Sequence, residues 1–157
     1  KGDYQPEFRN SRTCDLGLQT DPVISSINSS ICERMGLHPS FSELIQGQHY
    51  REGEKFNAHT DFFNLGTGEF EQHCAILGQR TWTFMVFLNR PEKGGITRFT
   101  RLKLDFDPEP GTALAWNNLY IDGTPNPNTE HFAMPVESGE KFIITKWFRE
   151  KANLEIS

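Results

Sequence analysis

From about residue 42 onward, short runs with strand character alternate with turns, and this alternation limits the fold more than any other feature of the sequence. The strongest run covers residues 81–88, where threonine, valine and aromatic side chains predominate. Turns rich in glycine and proline follow it at residues 90–95 and 107–111. About seven or eight short strands separated in this way are typical of a barrel or a jelly roll.

One amphipathic helix precedes these strands and is expected to buttress them. Asp21 is suited to the N-cap, Pro22 to the first helical position and Gly36 to the stop. Four apolar residues recur between them at helical spacing, namely Ile24, Ile27, Ile31 and Met35. The predicted strands cover residues 44–51, 56–63, 81–88, 97–104 and 112–116, a stretch around His131, and residues 141–148.

Length and composition set further limits. At 157 residues the sequence predicts a single domain over residues 1–157. The formal charge is −5 and no run of Lys and Arg stands out, so nucleic acid is not an expected partner. No apolar run approaches the ~20 residues of a membrane span, so a membrane is not an expected partner either. Three widely spaced cysteines, Cys14, Cys32 and Cys74, predict reduced thiols in a cytoplasmic protein. The oligomeric state is left open.

A possible metal site begins at His59-Thr60-Asp61. In a strand, residues i and i+2 point to one face, so the imidazole and the carboxylate can converge on one ion. His131 is a candidate third ligand. Two histidines and one carboxylate leave three positions open on an octahedral metal, as in non-haem Fe(II) oxygenases. The tripeptide alone favours a simpler interpretation, a surface hydrogen bond between His59 and Asp61.

A candidate anion site lies at Lys141, ten residues after His131. A turn over residues 135–139 predicts a hairpin that brings Lys141 back beside His131. A buried lysine is costly unless it is paired with an anion, and the distal carboxylate of 2-oxoglutarate is a suitable one. The alternative is that Lys141 is a solvated hairpin charge next to Glu137 and Glu140.

An ordered series of motifs between residues 42 and 149 resembles the prolyl 4-hydroxylase family of Fe(II)/2-oxoglutarate-dependent dioxygenases. Residues 46–61 resemble the Tyr-x-x-Gly-x-x-(Tyr/Phe)-x-x-His-x-Asp segment of that family, and residues 94–99 its Gly-Gly-x-Thr-x-Phe turn. Residues 110–118 and 131–147 resemble its later strands in outline. Upstream, Ser11-Arg12-Thr13 resembles an Arg-Thr-Ser element. The order of the series is far more specific than any single motif.

The resemblance implies a mainly β (α+β) protein built as a double-stranded β-helix, or jelly roll, with the N-terminal helix as its buttress. It implies that His59, Asp61 and His131 hold Fe(II). It assigns the distal carboxylate of 2-oxoglutarate to Lys141, assisted by hydroxyl groups at Tyr50 and Thr97. The co-substrates would be 2-oxoglutarate and O₂, with ascorbate as a candidate further cofactor.

The resemblance also implies an activity, namely hydroxylation of prolyl residues in a peptide or protein coupled to decarboxylation of 2-oxoglutarate. It places Arg80, Trp147 and Arg149 near the mouth that binds the peptide, with residues 62–79 as a possible lid. A second hypothesis keeps the chemistry but takes a free amino acid or small metabolite as substrate. A third is a non-catalytic metal-binding jelly roll that acts as a sensor or scaffold.

Overall fold

The computed structural model describes residues 9–17 and 21–153. Two α-helices lie within these residues, α1 (Pro22–Met35) and α2 (Gly68–Cys74). The strands, in chain order, are β1 (Arg12–Asp15), β2 (Gln46–Tyr50), β3 (Phe56–His59), β4 (Arg80–Phe87), β5 (Lys93–Gly94), β6 (Thr97–Phe99), β7 (Leu104–Phe106), β8 (Ala113–Asn117), β9 (His131–Ala133), β10 (Val136–Ser138) and β11 (Lys141–Arg149).

The strands form two main antiparallel sheets that enclose a core. The major sheet has the order β1-β2-β11-β4-β8, and the minor sheet has the order β3-β9-β6-β7. A short pair, β10 with β5, lies beside them. The core cluster draws Tyr50, Phe87 and Ile143 from the major sheet, and Phe99 and Ala133 from the minor one. Because the same apolar cluster is shared by both sheets, the predicted jelly-roll class is confirmed.

Helix α1 covers the outer face of the major sheet, as the sequence predicts. The Asp21 carboxylate accepts hydrogen bonds from the amides of Val23 and Ile24, and Gly36 ends the helix at a φ of 65°. Its buried side chains Ile31 and Cys32 belong to a second apolar cluster, apart from the core between the sheets. The other buried members of this cluster are Ile45, Phe84, Ile144 and Phe148. Neither helix in the described residues is long and apolar enough to cross a bilayer.

Three local predictions are wrong in detail. The predicted strand 97–104 divides into β6 and β7, because the chain turns between them with Lys103 at a positive φ of 56°. Strand β3 ends at His59 rather than at residue 63. The predicted turn at residues 135–139 contains a short strand, β10, and the reversal comes after it.

The predicted hairpin between His131 and Lys141 is also wrong. His131 begins β9 in the minor sheet, whereas Lys141 begins β11 in the major sheet, where it pairs with Tyr50 of β2. Strand β10 and a turn carry the chain from one sheet to the other between them. Lys141 therefore reaches the interior from the layer opposite His131.

Candidate active site

Three predicted metal ligands meet between the two sheets. One ligand atom from each of His59, Asp61 and His131 lies within 4.8 Å of the others. The two histidines are register partners on the neighbouring strands β3 and β9. Asp61 lies beyond the end of β3, so strand alternation does not explain its direction. A bend places it, and the Thr83 hydroxyl holds its Oδ2 from β4 by donating a hydrogen bond of 2.7 Å.

The same backbone interaction orients both imidazoles. Nδ1 of His59 lies 2.8 Å from the carbonyl oxygen of Asn57, and Nδ1 of His131 lies 2.9 Å from that of Thr129. A carbonyl oxygen only accepts hydrogen bonds, so Nδ1 carries the proton in each ring and Nε2 is the nitrogen with the lone pair. Outer partners of this kind are characteristic of histidines that bind metals.

The charges of the cluster suit a divalent cation. Burial lowers the pKa of His59 to about 4, with a further contribution from the nearby His131, so His59 is neutral at physiological pH. Burial opposes ionisation of Asp61, but the neighbouring His131, His59 and Arg80 and the hydrogen bond from Thr83 hold its pKa below the usual value. An ionised carboxylate beside imidazole nitrogens is a donor set that fits Fe(II).

Lys141 is fully buried and has no carboxylate partner among the described residues. Its ammonium group donates to the carbonyl oxygen of Gly95 at 2.6 Å and to Oγ1 of Thr97 at 3.3 Å. The rings of Tyr50 and Phe87 flank it at 5.4 and 5.3 Å. Burial lowers its pKa to about 7. The alternative of a solvated charge beside Glu137 and Glu140 does not describe this lysine.

One cavity of about 700 Å³ brings most of the predicted residues together. Its wall includes the three residues of the metal cluster as well as Tyr50 and Thr97. Lys141 lies directly behind this wall, since its ammonium contacts Thr97. Arg80 and Trp147 form another part of the wall. The volume is within the range of about 300–1,000 Å³ that is usual for small-molecule sites.

The residues predicted to bind substrate differ in their environments. Arg80 makes two hydrogen bonds to the Glu43 carboxylate, at 2.7 and 2.8 Å, and its guanidinium stacks over Trp147 at 4.0 Å. The buried Nε1 of Trp147 has no hydrogen-bond partner in the described residues. Arg149 is not brought to the cavity wall. It donates instead to Glu43 and to the carbonyl oxygen of His73.

The predicted lid contains α2, which the sequence analysis missed. The Thr67 hydroxyl accepts a hydrogen bond from the Phe70 amide, and Glu69 and Glu71 lie in the first turn. That arrangement of an N-cap and early acidic residues was a readable helix signal. The two ends of the segment are tied together because the Gln79 side chain exchanges two hydrogen bonds, of 2.9 and 2.7 Å, with the backbone of Phe63.

Arg9 is a cavity residue that the sequence analysis overlooked. Its guanidinium lies over the Phe56 ring at 4.5 Å and donates to the Ser11 hydroxyl at 2.9 Å. Its buried Nη2 has no partner in the described part of the chain. The spacing from Arg9 to Ser11 was the available signal, whereas the resemblance was placed at Ser11-Arg12-Thr13, where the side chain of Arg12 is exposed.

Comparison with known proteins supports the interpretation of this site as an oxygenase site. The family model of the 2OG-Fe(II) oxygenase superfamily matches residues 45–149. Prolyl 4-hydroxylase subunit alpha-2 of Gallus gallus is 32% identical over 146 residues, which cover 93% of this chain and 27% of the relative. The subunit of the same name from Caenorhabditis elegans is 33% identical over 148 residues and is covered to 26%. The chain thus spans about a quarter of the length of these curated relatives.

A solved structure is also similar to this chain. The viral collagen prolyl hydroxylase of Paramecium Bursaria Chlorella virus-1, in its 2OG complex, superimposes with a TM-score of 0.77 at 28% sequence identity. The match covers 92% of this chain and 81% of the viral one. Together with the metal cluster between the sheets and the family match over residues 45–149, it leads to one conclusion. The chain belongs to the 2OG-Fe(II) oxygenase superfamily.

Proposed function

We propose that the protein is an Fe(II)- and 2-oxoglutarate-dependent dioxygenase that hydroxylates prolyl residues in a peptide or protein. The observation that carries the proposal is the pairing of two features at one cavity. A cluster of His59, Asp61 and His131 lies on its wall, and the buried cation of Lys141, which has no carboxylate partner in the part of the chain that the structure describes, lies behind the same wall. A metal-binding scaffold or sensor has no need of the second feature.

The three clustered residues hold the iron. His59 and His131 present Nε2, because their Nδ1 atoms are engaged by backbone carbonyl oxygens, and Asp61 presents the carboxylate oxygen that Thr83 does not occupy. Bound Fe(II) supplies the redox chemistry that couples O₂ and oxidative decarboxylation of 2-oxoglutarate to hydroxylation of a C–H bond. Three protein ligands leave positions open for the co-substrates.

Lys141, Tyr50 and Thr97 hold the distal carboxylate of 2-oxoglutarate. A lysine suits a single terminal carboxylate because its ammonium is a compact point charge with three donors. Two of these donors have acceptors in the protein, Gly95 and Thr97, so one remains for an anion. Because the site is fully buried, the ion pair is not weakened by solvent.

The proposed substrate is an extended segment that contains proline. The relatives are named prolyl 4-hydroxylase subunits and the viral enzyme a collagen prolyl hydroxylase, which supports this class of substrate. An aromatic wall at Trp147, next to the Arg80 guanidinium, suits a polyproline II segment, whose backbone groups are unpaired. Arg80 keeps further N–H donors beyond the two that Glu43 engages. Arg149 is not part of this proposed contact, because it donates to Glu43 and does not line the cavity.

The test is a turnover assay with Fe(II), 2-oxoglutarate, O₂ and ascorbate, with and without proline-rich peptides. We expect succinate release and a mass gain of one oxygen on proline. In the Arg80→Ala variant, peptide hydroxylation should fall while uncoupled decay of 2-oxoglutarate persists. Hydroxylation of free amino acids but not of peptides would replace the peptide with a small substrate. Iron binding without any decay of 2-oxoglutarate would favour a scaffold or sensor.

A further inference from the structure

A row of polar side chains runs along the inner face of the major sheet, beside the site proposed for 2-oxoglutarate. Gln46, Gln48 and Tyr50 alternate along β2 and so share one face. Thr145 of β11 is the register partner of Gln46. All four residues line the cavity. Gln48 is 7% exposed, so this amide lies in the wall of the cavity and not at its rim.

Hydrogen bonds fix the direction of the Gln48 amide. The Tyr50 hydroxyl donates to Oε1 of Gln48 at 2.7 Å. Nε2 of Gln48 lies 3.3 Å from Oε1 of Gln46 and 3.3 Å from Oγ1 of Thr145. With the Gln46 amide as the structure places it, a half-turn of the Gln48 amide would set its oxygen against Oε1 of Gln46, so that two acceptors would face each other. In this arrangement the Gln48 amide presents its oxygen, and not its nitrogen, to Tyr50.

A tyrosine hydroxyl has a single proton to donate. Burial raises the pKa of Tyr50, so the phenol stays protonated at physiological pH. In the structure this proton is engaged by Gln48, although the proposed function assigns it to the distal carboxylate of 2-oxoglutarate. The carboxylate and Gln48 cannot both receive it.

We propose that Gln48 is a positioning residue that competes with 2-oxoglutarate for the Tyr50 proton and thereby lowers the affinity for the co-substrate. The inference rests on the proposed function, since it needs a carboxylate at Lys141, Tyr50 and Thr97. When the carboxylate binds, the Tyr50 hydroxyl turns from the Gln48 oxygen to the anion. The buried oxygen of Gln48 then loses its hydrogen-bond donor, and the free energy lost in this way makes 2-oxoglutarate binding weaker.

The decisive variant is Gln48→Met, which keeps the length of the side chain and removes the strong acceptor. The measurement is calorimetric titration of 2-oxoglutarate, without O₂, into the full chain loaded with Mn(II). We expect the dissociation constant to fall by about 2- to 12-fold, the equivalent of one ordinary hydrogen bond. A Gln48→Leu variant repeats the test with a different shape and should give a change of the same sign.

The matched control is the same substitution in a Tyr50→Phe background. Tyr50→Phe alone should weaken 2-oxoglutarate binding, and adding Gln48→Met should then change nothing, because no phenolic proton is left to share. Unchanged or weaker binding by Gln48→Met, or equal tightening in both backgrounds, would overturn the inference. If neither Tyr50→Phe nor Lys141→Met alters binding, the proposed co-substrate site fails instead, and the two failures are thereby distinguished.

Discussion

The hydroxyl of Thr83 donates a hydrogen bond of 2.7 Å to Oδ2 of Asp61 and so joins the middle of the major sheet to the metal cluster. Thr83 is fully buried and accepts a second hydrogen bond, of 2.9 Å, from the Asn118 amide. The other carboxylate oxygen of Asp61 lies 3.7 Å from Nε2 of His59. One oxygen is thus held by the protein, and the other is directed toward the position for a metal.

The first prediction removes this support. Thr83→Val keeps the shape of the side chain but leaves Asp61 without its donor, so metal affinity should fall by about 10- to 100-fold. Calorimetric titration with Mn(II) measures the change. Thr81→Val is the matched control on the same strand, because the Thr81 hydroxyl bonds the carbonyl oxygen of Phe148 and has no role at the cluster. Equal metal affinities in the two variants would contradict the prediction.

The second prediction concerns pH. The pKa of Lys141 is lowered from 10.5 to about 7 by burial, so the ammonium of the empty site loses its proton as the pH rises through 7. A bound carboxylate favours the charged form and restores that proton. Binding of 2-oxoglutarate at pH 8.5 should therefore take up a proton, and affinity should weaken with rising pH.

Calorimetry at pH 8.5 in two buffers of different ionisation enthalpy detects that proton. Lys141→Arg is the control, because a guanidinium stays charged over this range and should show no uptake. Identical heats for the wild-type protein in the two buffers would count against the prediction.

The third prediction is that Lys141→Met stabilises the ligand-free protein. The folded-state pKa lies below the unfolded value, so the unfolded chain binds more protons between pH 7 and 10.5, and the free energy of unfolding rises with pH across that window. The Lys141→Met variant should lack this pH dependence. At pH 7 its free energy of unfolding should be roughly 2 kcal/mol higher than that of the wild type, since the relieved cost of burying the ammonium is partly offset by the unpaired Gly95 carbonyl. Lys146, whose pKa is lowered to about 8, is present in both proteins.

Chemical denaturation at pH 7 and pH 9.5 measures both free energies of unfolding. The difference between wild type and variant should shrink at the higher pH. A variant that is less stable at pH 7 would show that burial of this ammonium carries no cost.

The fourth prediction concerns Glu43, which bonds both Arg80 and Arg149. Burial alone would raise the pKa of Glu43, but the hydrogen bonds and charge of Arg80, followed by Arg149, lower it. Glu43→Gln leaves two guanidinium groups without their counter-charge and should destabilise the fold by about 3 kcal/mol. Glu33→Gln on the exposed side of α1 is the control and should leave the free energy of unfolding unchanged. A Glu43→Gln variant whose free energy of unfolding in urea equals that of the wild type would contradict this role.

Features coded by neighbouring residues could be predicted from the sequence. The limits of α1 follow from Asp21, Pro22 and Gly36, because caps act within one turn of the helix. The alternation in β4, with Thr83 toward the cluster and Phe84 toward α1, follows from the geometry of a single strand.

Features set by the pairing of distant strands could not be predicted in this way. Lys141 follows His131 by ten positions, but this spacing does not reveal that β9 and β11 enter different sheets, since pairing is decided by partners such as β2 and β4. Asp61 is directed by a bend and by Thr83, a contact across 22 positions. Arg9 reaches the cavity from the far end of the chain, beyond the range of any local pattern.

The division of the site between the two sheets has a mechanical consequence. His131 belongs to one layer and Lys141 to the other, so a molecule held at both positions joins the layers as a crosslink does. Separation of the layers and release of that molecule become a single event. Each tenfold increase in free ligand above its dissociation constant then adds about 1.4 kcal/mol to the work of opening the interior. Resistance of the protein to heat and proteases thus becomes a measure of how much co-substrate surrounds it.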